Sequence, residues 1–510
     1  MTMQTFAEVW SRAVATHPDS TFLLFESAGG AVTQWTYAQF DGHVASVAGT
    51  LAARGVTPGS AVHFCLTNSP AFIALWLAAA RLGAWVIPVD PASTPRDLSS
   101  QFARTRPTLG VCGSMRAGTY LPTARVHDVP TLVLSETCSD LAHGSPLLSE
   151  APAGSFTPAP TDRLAVMFTS GTTSQPKGVV LTQRNYAHVA ETMSRAAALE
   201  SRHRWLVTLP LFHANAQYYC FAPAIAVGAS VALTSRFSAS GWVRSAHRLA
   251  ATHASLFAAP IRMILARTPD DAPPVTLEHV WFAQSLGSDH HAAFGRLVGC
   301  LPRQLYGMTE TVAIVTADDS QPPTSNLIGR AVGGREVRLV DRDTLAEVAD
   351  GGPGMILVAG VPGDDLFLEY LDDAETTSRT LIHHDSRTWL ATGDLAARGA
   401  TGALTFVGRA DDVIKVAGEN VSLTEVEATI AQAPGVLEAA VVARDDPMRD
   451  HVPVAYVVAS NPLAPPDPHL LAEWAMGELP PQARPREWHV IAELPRTSVG
   501  KVRRFRLTDG

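Results

Sequence analysis

Charged residues are scarce in this sequence, and neither sign is concentrated. They make up 17% of the 510 residues, with 39 Lys and Arg against 48 Asp and Glu and a formal net charge of −9 at pH 7. No block of five or more basic residues occurs. Because nucleic-acid-binding surfaces are strongly basic, this charge balance argues against a nucleic acid and predicts a small molecule as the partner.

Cysteine is also rare, and its placement argues against two kinds of site. The five cysteines are odd in number, widely separated and never arranged as C-x-x-C: Cys65, Cys112, Cys138, Cys220 and Cys300. This pattern predicts neither a disulfide framework nor a zinc site, and it fits a reducing cytoplasm. The histidine pairs at 290/291 and 383/384 have no acid or cysteine at metal-ligand spacing, so we interpret them as surface loop residues.

A long uninterrupted apolar run is missing as well. The most apolar stretch, 71–89, is broken by Arg81, Gly83 and Pro88, which argues against a membrane span. The first twenty residues lack the charged-then-apolar pattern of a signal peptide. We therefore expect no membrane span, and a helix followed by a strand at 71–89.

Apolar residues nevertheless make up 46% of the chain, which is enough for large cores and, at this length, for two to four domains. The segment 61–89 predicts a strand, a helix and a strand, with Asn68 and Ser69 as the helix cap and the helix ending at Leu82. A βαβ unit of this kind has parallel strands covered by helices.

A second unit of the same kind follows later in the chain. Its first strand is expected to end at Leu209, its helix to end before Gly228, and its second strand to cover about 229–234. The two units together predict an α/β fold with two adjoining sheets.

Beyond about residue 400 the sequence changes to short strands and turns. It predicts a helix at about 423–433, two short strands at 439–444 and 452–458, and then proline-rich connections and a basic tail. We place a domain boundary near Asp411, which divides the chain into a large domain, 1–410, and a small α+β domain, 411–510.

The stretch "MFTSGTTSQPKGVVLT", Met167–Thr182, raises the possibility of a phosphate site. It does not match the P-loop, because Pro176 and Gly178 replace the second glycine and the final hydroxyl, although Lys177 is in place. Five hydroxyl residues lie within six positions: Thr169, Ser170, Thr172, Thr173 and Ser174. Since apolar strands flank it, the segment is either a phosphate-binding loop between strands or an ordinary surface loop.

Four further motifs follow this stretch in a fixed order. They are "YGMTET" (306–311), "TGDLA" (392–396), "GRADDVIKVAGENVSLTEVE" (408–427) and "PRTSVGK" (495–501). With these five motifs the chain resembles the AMP-forming adenylating enzymes, which include acyl-CoA synthetases, firefly luciferase and peptide-synthetase adenylation domains. The resemblance implies a large N-terminal domain of two adjoining βαβ-type sheets plus a small barrel-like part, and a small mobile α+β C-terminal domain.

The chemistry implied by this resemblance is attack of a carboxylate on the α-phosphorus of ATP, with release of pyrophosphate. It would use ATP and Mg²⁺, with CoA as the expected co-substrate. Two anions must be brought together, so positioning and cationic stabilisation carry the catalysis. No nucleophilic side chain is required, and no G-x-S-x-G elbow is present.

The resemblance also implies a role for individual residues of the motifs. The β- and γ-phosphates would be enclosed by Thr169, Ser170, Gly171, Thr172, Thr173 and Lys177. Tyr306 would lie against adenine, Thr309 would touch the α-phosphate, and Glu310 would bind magnesium. Asp394 would accept the ribose hydroxyls, and Arg409 would support ribose or phosphate. Outside these motifs, the same acid and arginine would be interpreted as a turn acid and a surface ion pair.

Three positions near the C-terminus complete the implied machinery. Lys501 would bridge the substrate carboxylate and the α-phosphate, although a lysine in a basic tail is ordinarily a solvated surface residue. Asp411 matches the hinge about which the small domain of this family swings. Gly418 would border the tunnel for the CoA thiol.

The substrate pocket is predicted from a separate set of residues. His213 matches a family histidine at the acyl pocket, and on a helix Asn215 and Tyr218 or Tyr219 would share a face. Gly307 and Met308 would also border the pocket. Most relatives have a strip resembling Gly-Gly-Ala where this chain has Gln284 and Ser285. The polar residues of the helix favour a small, polar or aromatic acid, and the Gln284–Ser285 strip predicts an unusual or small acceptor.

Three functions remain open at this point. The first is an acid–CoA ligase, and "FHANAQ" (212–217) is most similar to the crotonobetaine/carnitine-CoA ligase-like and fatty-acid-ligase-like branches. The second is adenylation with another acceptor or anion, either a carrier-protein thiol or nitrite that is transferred to an aryl amine to form a diazo group. The third is a nucleotide-binding regulator without catalysis. The oligomeric state is also open, and a homodimer is one of the states considered.

Overall fold

The computed structural model describes residues 4–142, 144–148, 156–169, 176–417, 419–496 and 502–507. Its strands are β1 Thr21–Glu26, β2 Val32–Thr36, β3 Ala61–Cys65, β4 Trp85–Pro88, β5 Leu109–Gly113, β6 Thr131–Leu134, β7 Arg163–Thr169, β8 Lys177–Thr182, β9 Arg204–Val207, β10 Ser230–Thr234, β11 His253–Phe257, β12 His279–Ala283, β13 Arg303–Tyr306, β14 Thr316–Ala317, β15 Arg330–Ala331, β16 Val337–Val340, β17 Pro353–Ala359, β18 Glu369–Tyr370, β19 Leu381–His384, β20 Arg387–Arg398, β21 Leu404–Arg409, β22 Val413–Val416, β23 Glu419–Ser422, β24 Val436–Asp446, β25 Asp450–Ala459 and β26 Glu487–Ile491.

The helices alternate with these strands along most of the chain. They are α1 Phe6–Thr16, α2 Tyr37–Ala53, α3 Pro70–Leu82, α4 Pro95–Thr105, α5 Ala117–Val126, α6 Glu136–Ser139, α7 Gln183–Ala196, α8 Ala222–Val227, α9 Trp242–Arg248, α10 Ala258–Arg267, α11 Ser288–Val298, α12 Ala374–Thr380, α13 Leu423–Ile430 and α14 Pro468–Glu478. A π-helix, Asn215–Phe221, runs directly into α8.

The first predicted βαβ unit is confirmed as part of a seven-stranded sheet, whose order is β18-β8-β7-β4-β3-β5-β6. Strands β3 and β4 are parallel, and α3 connects them. Ser69 caps this helix by accepting a hydrogen bond from the Phe72 amide, and Gly83 ends it with a φ of 64°. All of α3 is buried except Arg81, so the most apolar run of the sequence is a core helix.

The second predicted unit lies in a nine-stranded sheet, ordered β15-β14-β13-β12-β11-β9-β10-β1-β2. Strands β9 and β10 are parallel, as expected, although β9 ends at Val207 rather than at Leu209. The helix between them ends before Gly228, as predicted, but it begins as a π-helix rather than an α-helix.

One apolar core joins the two large sheets. It contains residues from both sheets and from the helices packed between them, including Trp76 of α3 and Trp205 of β9. The Trp76 ring stacks on Phe6 of α1 with ring centroids 4.9 Å apart, and it contacts Tyr186 of α7 at 5.5 Å. The helices α1, α3 and α7 thus fix the two sheets against each other, and they support the strand ends that carry the motifs.

Two five-stranded sheets complete the described fold, and they are antiparallel except for the parallel pair β25–β26. The third sheet has the order β16-β17-β20-β19, and β21 pairs with β20. The fourth has the order β23-β22-β25-β24, and β26 pairs with β25, while α13 and α14 pack on its core. A 3₁₀ turn, Ala410–Asp412, separates β21 from β22. The division of the chain at this turn into two domains stays a prediction.

The C-terminal hundred residues contain more regular structure than the sequence predicted. The predicted helix is α13, which ends at Ile430, and the two predicted strands lie within β24 and β25. Helix α14 and strand β26 were not expected, because their stretch was assigned to proline-rich connections. Pro468 occupies the first turn of α14, where proline is tolerated, and Asp467 caps the helix.

The structure also bears on two other expectations from the sequence, the one about a membrane span and the one about the histidine pairs. None of the helices described is long and apolar enough to cross a membrane. The assignment of both histidine pairs to surface loops was wrong: His290 and His291 belong to α11, and His383 and His384 to β19. His291 is buried, and its Nε2 lies 2.8 Å from the Pro302 carbonyl oxygen, because its side of α11 faces the core.

Candidate active site

The hydroxyl-rich stretch connects two antiparallel strands, as the sequence predicted. In the hairpin of β7 and β8, Thr169 pairs with Lys177, and the Thr169 hydroxyl donates to the Lys177 carbonyl oxygen at 3.4 Å. Both residues are half-buried. The other four predicted phosphate contacts lie outside the described residues: Ser170, Gly171, Thr172 and Thr173.

Arg104 of α4 supports the end of this loop, a role that sequence reasoning missed. Its Nη1 donates to the Pro176 carbonyl oxygen and its Nη2 to the Leu371 carbonyl oxygen, both at 2.8 Å. Its guanidinium also lies 5.1 Å from the centroid of the Phe168 ring. One planar side chain therefore fixes β7, the residue before β8 and the end of β18 relative to one another.

Tyr370 of β18 lies between two predicted site residues, Glu310 and Lys177. Its hydroxyl donates to Glu310 Oε1 at 2.9 Å, and Lys177 Nζ lies 5.1 Å from the centroid of its ring. Burial, followed by the nearby Glu310 carboxylate, raises the pKa of Tyr370, so the phenol stays protonated and serves as a donor. The structure therefore brings the predicted magnesium ligand and the predicted phosphate lysine to one place.

A second group joins the nine-stranded sheet to the third sheet. Tyr306, at the end of β13, donates a buried 2.7 Å hydrogen bond to Asp394 Oδ2. Asp394 of β20 pairs with Arg409 of β21, whose Nε lies 3.6 Å from Asp394 Oδ1. Burial, followed by the Asp394 charge, raises the pKa of Tyr306 and keeps the donor protonated. Three residues predicted to contact adenosine are thus neighbours.

The turn that carries Thr309 and Glu310 is held from several sides. Thr309–Thr311 is a single 3₁₀ turn, and the Glu310 carbonyl oxygen accepts a hydrogen bond from the Phe367 amide at 2.9 Å. Arg335 donates to the Thr311 carbonyl oxygen at 2.6 Å. Val312 follows with a φ of 67°, a left-handed conformation that is strained for a β-branched residue. Strain of this kind persists where surrounding contacts determine the backbone, and it is frequent at functional sites.

The predicted substrate residues surround the π-helix. His213 is half-buried just before it, Asn215 is its first residue, and Tyr218 is fully buried with its ring 5.5 Å from that of Tyr186. Because π-helical hydrogen bonds join residues five apart, side chains four or five apart share a face. The face of Asn215 is therefore shared with Tyr219, one of the two pairings expected from the sequence, rather than with Tyr218.

Tyr219 reaches the motif that contains Gly307. A Cβ atom on Gly307 would lie 3.0 Å from the Tyr219 hydroxyl, tighter than most Cβ contacts, so the hydroxyl lies close against this glycine. Met308, next in the chain, is half-buried, and its amide donates to the Thr311 hydroxyl. The π-helix and the 306–311 motif are therefore in direct contact.

The Gln284–Ser285 strip has an unusual backbone. Gln284 has a φ of 74°, its side chain is exposed, and its carbonyl oxygen accepts a hydrogen bond from Gln304 Nε2 at 3.2 Å. The Ser285 carbonyl oxygen accepts from Arg262 Nη1 at 3.4 Å. A left-handed conformation is the one in which glycine is unstrained, which gives a physical reason for glycine in the corresponding strip of relatives. The pocket role of Gln284 and Ser285 stays a prediction.

Three further predicted positions follow β21 in the sequence. Asp411 lies in the 3₁₀ turn Ala410–Asp412 between the third and fourth sheets. Gly418 and Lys501 lie outside the described residues. Their proposed roles as hinge, thiol-tunnel residue and catalytic lysine therefore stay predictions.

Comparison with known families gives two matches that together cover most of the chain. Residues 10–371 match the model described as "AMP-binding enzyme". Residues 425–501 match the model described as "AMP-binding enzyme C-terminal domain".

Curated relatives of similar length also match. The chain is 32% identical over 514 residues to a protein from Cupriavidus necator named sulfoacetate–CoA ligase, covering 99% of this chain and 97% of that protein. It is 29% identical over 474 residues to a protein from Salmonella arizonae named crotonobetaine/carnitine–CoA ligase, covering 90% of each.

Solved structures confirm the predicted α/β fold with a large N-terminal and a smaller C-terminal part. ATP-bound MatB from Rhodopseudomonas palustris superimposes with a TM-score of 0.86 at 24% identity, covering 99% of both chains. The anthranilate CoA ligase AuaEII in complex with anthranoyl-AMP superimposes with a TM-score of 0.87 at 22% identity, covering 100% of this chain and 97% of the other.

Proposed function

This chain belongs to the AMP-binding enzyme family, and we propose that it is an ATP-dependent acid–CoA ligase. In the first step a carboxylate attacks the α-phosphorus of ATP, which forms an acyl adenylate and releases pyrophosphate. In the second step the CoA thiol attacks the acyl carbon, which forms the thioester and releases AMP. One observation carries the proposal. Tyr306 is hydrogen-bonded to Asp394, and Glu310, four residues later, is hydrogen-bonded to Tyr370. These two pairs match the two ends of a nucleoside triphosphate.

The adenosine end of this arrangement is formed by Tyr306, Asp394 and Arg409. The Tyr306 phenol fixes the orientation of the Asp394 carboxylate, and a carboxylate is a suitable acceptor for the ribose hydroxyls. The ring of Tyr306, 6.1 Å from that of Phe406, offers an aromatic surface for adenine. Arg409 is exposed and close to Asp394, which allows it to contact ribose or phosphate.

The phosphate end combines Lys177, Thr169 and the buried Glu310. An oxygen donor such as the Glu310 carboxylate suits Mg²⁺, which prefers oxygen ligands. No cluster of three or more His, Cys, Asp or Glu side chains fit to hold a metal occurs within the described ranges. This agrees with a site of one carboxylate plus substrate phosphates, the usual arrangement for magnesium in nucleotide enzymes. When bound, the ion would neutralise phosphate charge, while Lys177 contributes its own cation.

The relatives favour CoA over the other acceptors. Two proteins that match most or nearly all of this chain are named as CoA ligases, and both names include a short polar acid. A carrier-protein thiol, or nitrite with an aryl amine, is the second candidate, and the polar Gln284–Ser285 strip is the observation that retains it. A nucleotide-binding regulator without catalysis is disfavoured, because the charged residues of the motifs are all present.

The decisive experiment measures pyrophosphate and AMP release by the purified chain with a panel of short acids and with nitrite, each with and without CoA or an aryl amine. AMP formation that requires both an acid and CoA supports the proposal. A Lys501→Ala variant should lose pyrophosphate release but retain ATP binding measured by calorimetry. Release that proceeds with nitrite and an amine, but with no carboxylic acid, would establish the second candidate instead.

A further inference from the structure

Tyr219 has a hydroxyl that the fold leaves without an internal partner. The residue is only 6% exposed, and no hydrogen bond joins its hydroxyl to another of the described residues. Burial raises the pKa of Tyr219, so the group is a neutral phenol. The adjacent Tyr218 hydroxyl is also without a partner among the described residues. Tyr186 differs, because it donates to Gln217 Oε1 at 2.7 Å, and Gln217 in turn donates to the Leu211 carbonyl oxygen.

The position of this hydroxyl relates it to the reacting centre. It lies against Gly307, at the 3.0 Å approach that a side chain on Gly307 would block. Gly307 is the residue between Tyr306, which holds the predicted ribose carboxylate, and the turn that carries Glu310. The Tyr219 hydroxyl is therefore next to the 306–310 motif on the side of the π-helix, where an acid substrate would approach the α-phosphate under the proposed function.

Asn215 shares the π-helical face of Tyr219 and has an unpaired atom of its own. Its Nδ2 donates to the Ser255 hydroxyl at 3.0 Å, and its Oδ1 has no partner in the part of the chain that the structure describes. Exchanging the amide oxygen and nitrogen would still leave one polar atom of the buried Asn215 unpaired. A hydroxyl group fits either assignment, because it both donates and accepts hydrogen bonds.

The charges around this face disfavour a second anionic group on the acid. The residues of the π-helix are neutral, and so are Ser255 and Gly307. Burial chiefly raises the pKa of the neighbouring Tyr218, and the Glu310 carboxylate adds to this effect. A sulfonate or second carboxylate would find no cationic partner among these residues.

We propose that Tyr219, with Asn215, determines substrate specificity by hydrogen bonding to a hydroxyl on a short carboxylic acid. The proposal rests on the proposed function, because it assigns the acid that the same site activates. The size of the Tyr219 side chain favours a short acid, because the hydroxyl of this buried ring already reaches Gly307. A site built to hydrogen-bond a substrate hydroxyl discriminates strongly against an analogue that lacks it, because the buried partner is then left unpaired.

The test compares acids that differ only by a hydroxyl in place of a methyl group: 3-hydroxybutyrate with 3-methylbutyrate, and 3-hydroxybenzoate with 3-methylbenzoate. In at least one pair, the wild-type kcat/KM for AMP formation should be about 10-fold or more higher for the hydroxy acid. Tyr219→Phe should lower kcat/KM for the hydroxy acid about 10-fold and change kcat/KM for the methyl acid less than about twofold.

Tyr186→Phe is the matched control, because it deletes a neighbouring buried hydroxyl that already has an internal partner. This variant should affect both acids of a pair alike. Equal kcat/KM for both acids in both pairs, or a Tyr219→Phe effect that is the same for both, would overturn the proposal.

A binding measurement separates this proposal from the proposed function. Calorimetry of the same acids with the protein and α,β-methylene-ATP reports affinity without turnover. If no acid supports AMP formation, the proposed ligase activity fails, and the ratio of affinities within each pair still decides the role of Tyr219. A hydroxy-acid preference in affinity that Tyr219→Phe removes supports the proposal, and equal affinities refute it.

Discussion

The phenol of Tyr306 donates a buried 2.7 Å hydrogen bond to Asp394, although the two residues belong to different sheets and are 88 positions apart. The bond fixes one carboxylate oxygen and keeps the aromatic ring beside it. A carboxylate oriented in this way is ready to accept the ribose hydroxyls without further reorganisation, which is how a preformed site gains affinity.

Tyr306→Phe should therefore weaken ATP binding while preserving the fold. The ring stays available to adenine, but Asp394 loses a hydrogen bond, and bonds to charged groups contribute about 1.5–3 kcal/mol. We expect the KM for ATP to rise about 10-fold. Tyr456→Phe is a suitable control, because that hydroxyl donates to the Leu507 carbonyl oxygen in the fourth sheet region. An unchanged KM for ATP in Tyr306→Phe would contradict the assignment of Asp394.

Tyr370 is predicted to act on Glu310 and Lys177 through different parts of its side chain. Tyr370→Phe removes the hydrogen bond to Glu310 but keeps the ring beneath the Lys177 ammonium group. We expect a several-fold higher Mg²⁺ concentration for half-maximal pyrophosphate release, with little change in the KM for ATP at saturating Mg²⁺. Tyr370→Leu removes both interactions and should impair ATP use as well. Identical Mg²⁺ titrations for wild type and Tyr370→Phe would exclude this role.

Arg104 provides a test of how the phosphate loop is supported. Arg104→Met removes two hydrogen bonds to the main-chain oxygens of Pro176 and Leu371. The Arg104 charge itself is not expected to contact the nucleotide directly. We expect kcat/KM for ATP to fall about 10-fold, since a misplaced loop loses favourable positioning. Arg96→Met, an exposed arginine in the first turn of the same helix, is the control and should behave as wild type. Equal effects of both substitutions would indicate a general loss of charge instead.

The site residues predicted from the sequence are those that lie within contiguous motifs. Tyr306, Glu310, Asp394 and Lys177 follow from short patterns of a recognisable family, and the structure brings them into two neighbouring groups. Their motifs also begin or end at strands, which apolar runs make visible in the sequence. Local patterns therefore predicted residues that the structure brings together and the elements that carry them, while the roles of these residues stay predictions.

The residues that sequence reasoning missed act through contacts between distant parts of the chain. Tyr370 is 60 positions from Glu310, and Arg104 is 72 from Pro176. Neither lies in a motif, and a lone tyrosine or arginine carries no signal of its own. The π-helix at Asn215–Phe221 was also missed, because an apolar helical stretch does not reveal whether its turns contain one extra residue.

The stability of the large domain should decrease on acidification because of a stack of histidines. His253 of β11 lies between His203 and His279, with ring centroids 4.4 and 5.6 Å apart. Burial first, and then neighbouring positive charges, lowers the pKa of His253 to about 4 and that of His279 to about 3. Glu278, beside His203, opposes this effect on His253, while Arg202 adds to it.

The sign of the pH dependence follows from these lowered pKa values. Above pH 6.5 both histidines are neutral in the folded and unfolded chains, so they have no effect. Between pH 6.5 and about 4 the unfolded chain binds protons that the folded chain does not, so stability falls by up to ~1.4 kcal/mol per pH unit for each histidine. Urea unfolding at pH 7.5 and 5.0 should show a smaller difference for His253→Gln than for wild type. The exposed His469→Gln should leave the difference unchanged.

The last prediction concerns Arg504, which ties the chain beyond Lys501 to the region of the predicted hinge. Its guanidinium donates to both oxygens of Glu427 in α13, at 2.9 and 2.6 Å, and to Asp412 at 3.2 Å. Glu427 also accepts the Val441 amide, so its carboxylate is held within the fourth sheet region. Removing Arg504 would leave this partly buried carboxylate without its cation, which should cost about 1–3 kcal/mol.

Arg504→Met should therefore destabilise the C-terminal part strongly, and Glu427→Gln in the same chain should restore much of the loss, because the unpaired charge is then removed. A double-mutant cycle in urea measures this coupling, and we expect an interaction energy of about 1–3 kcal/mol. Arg503→Met is the control and should be nearly neutral. The amide of Arg503, rather than its side chain, donates to the Pro495 carbonyl oxygen. Strictly additive effects of Arg504→Met and Glu427→Gln would show that the tail is held by its apolar residues instead, since Val502 and Leu507 also pack against the fourth sheet. In that case Arg504→Met would leave pyrophosphate release unchanged. If Arg504 instead orients the tail that contains Lys501, Arg504→Met should abolish pyrophosphate release.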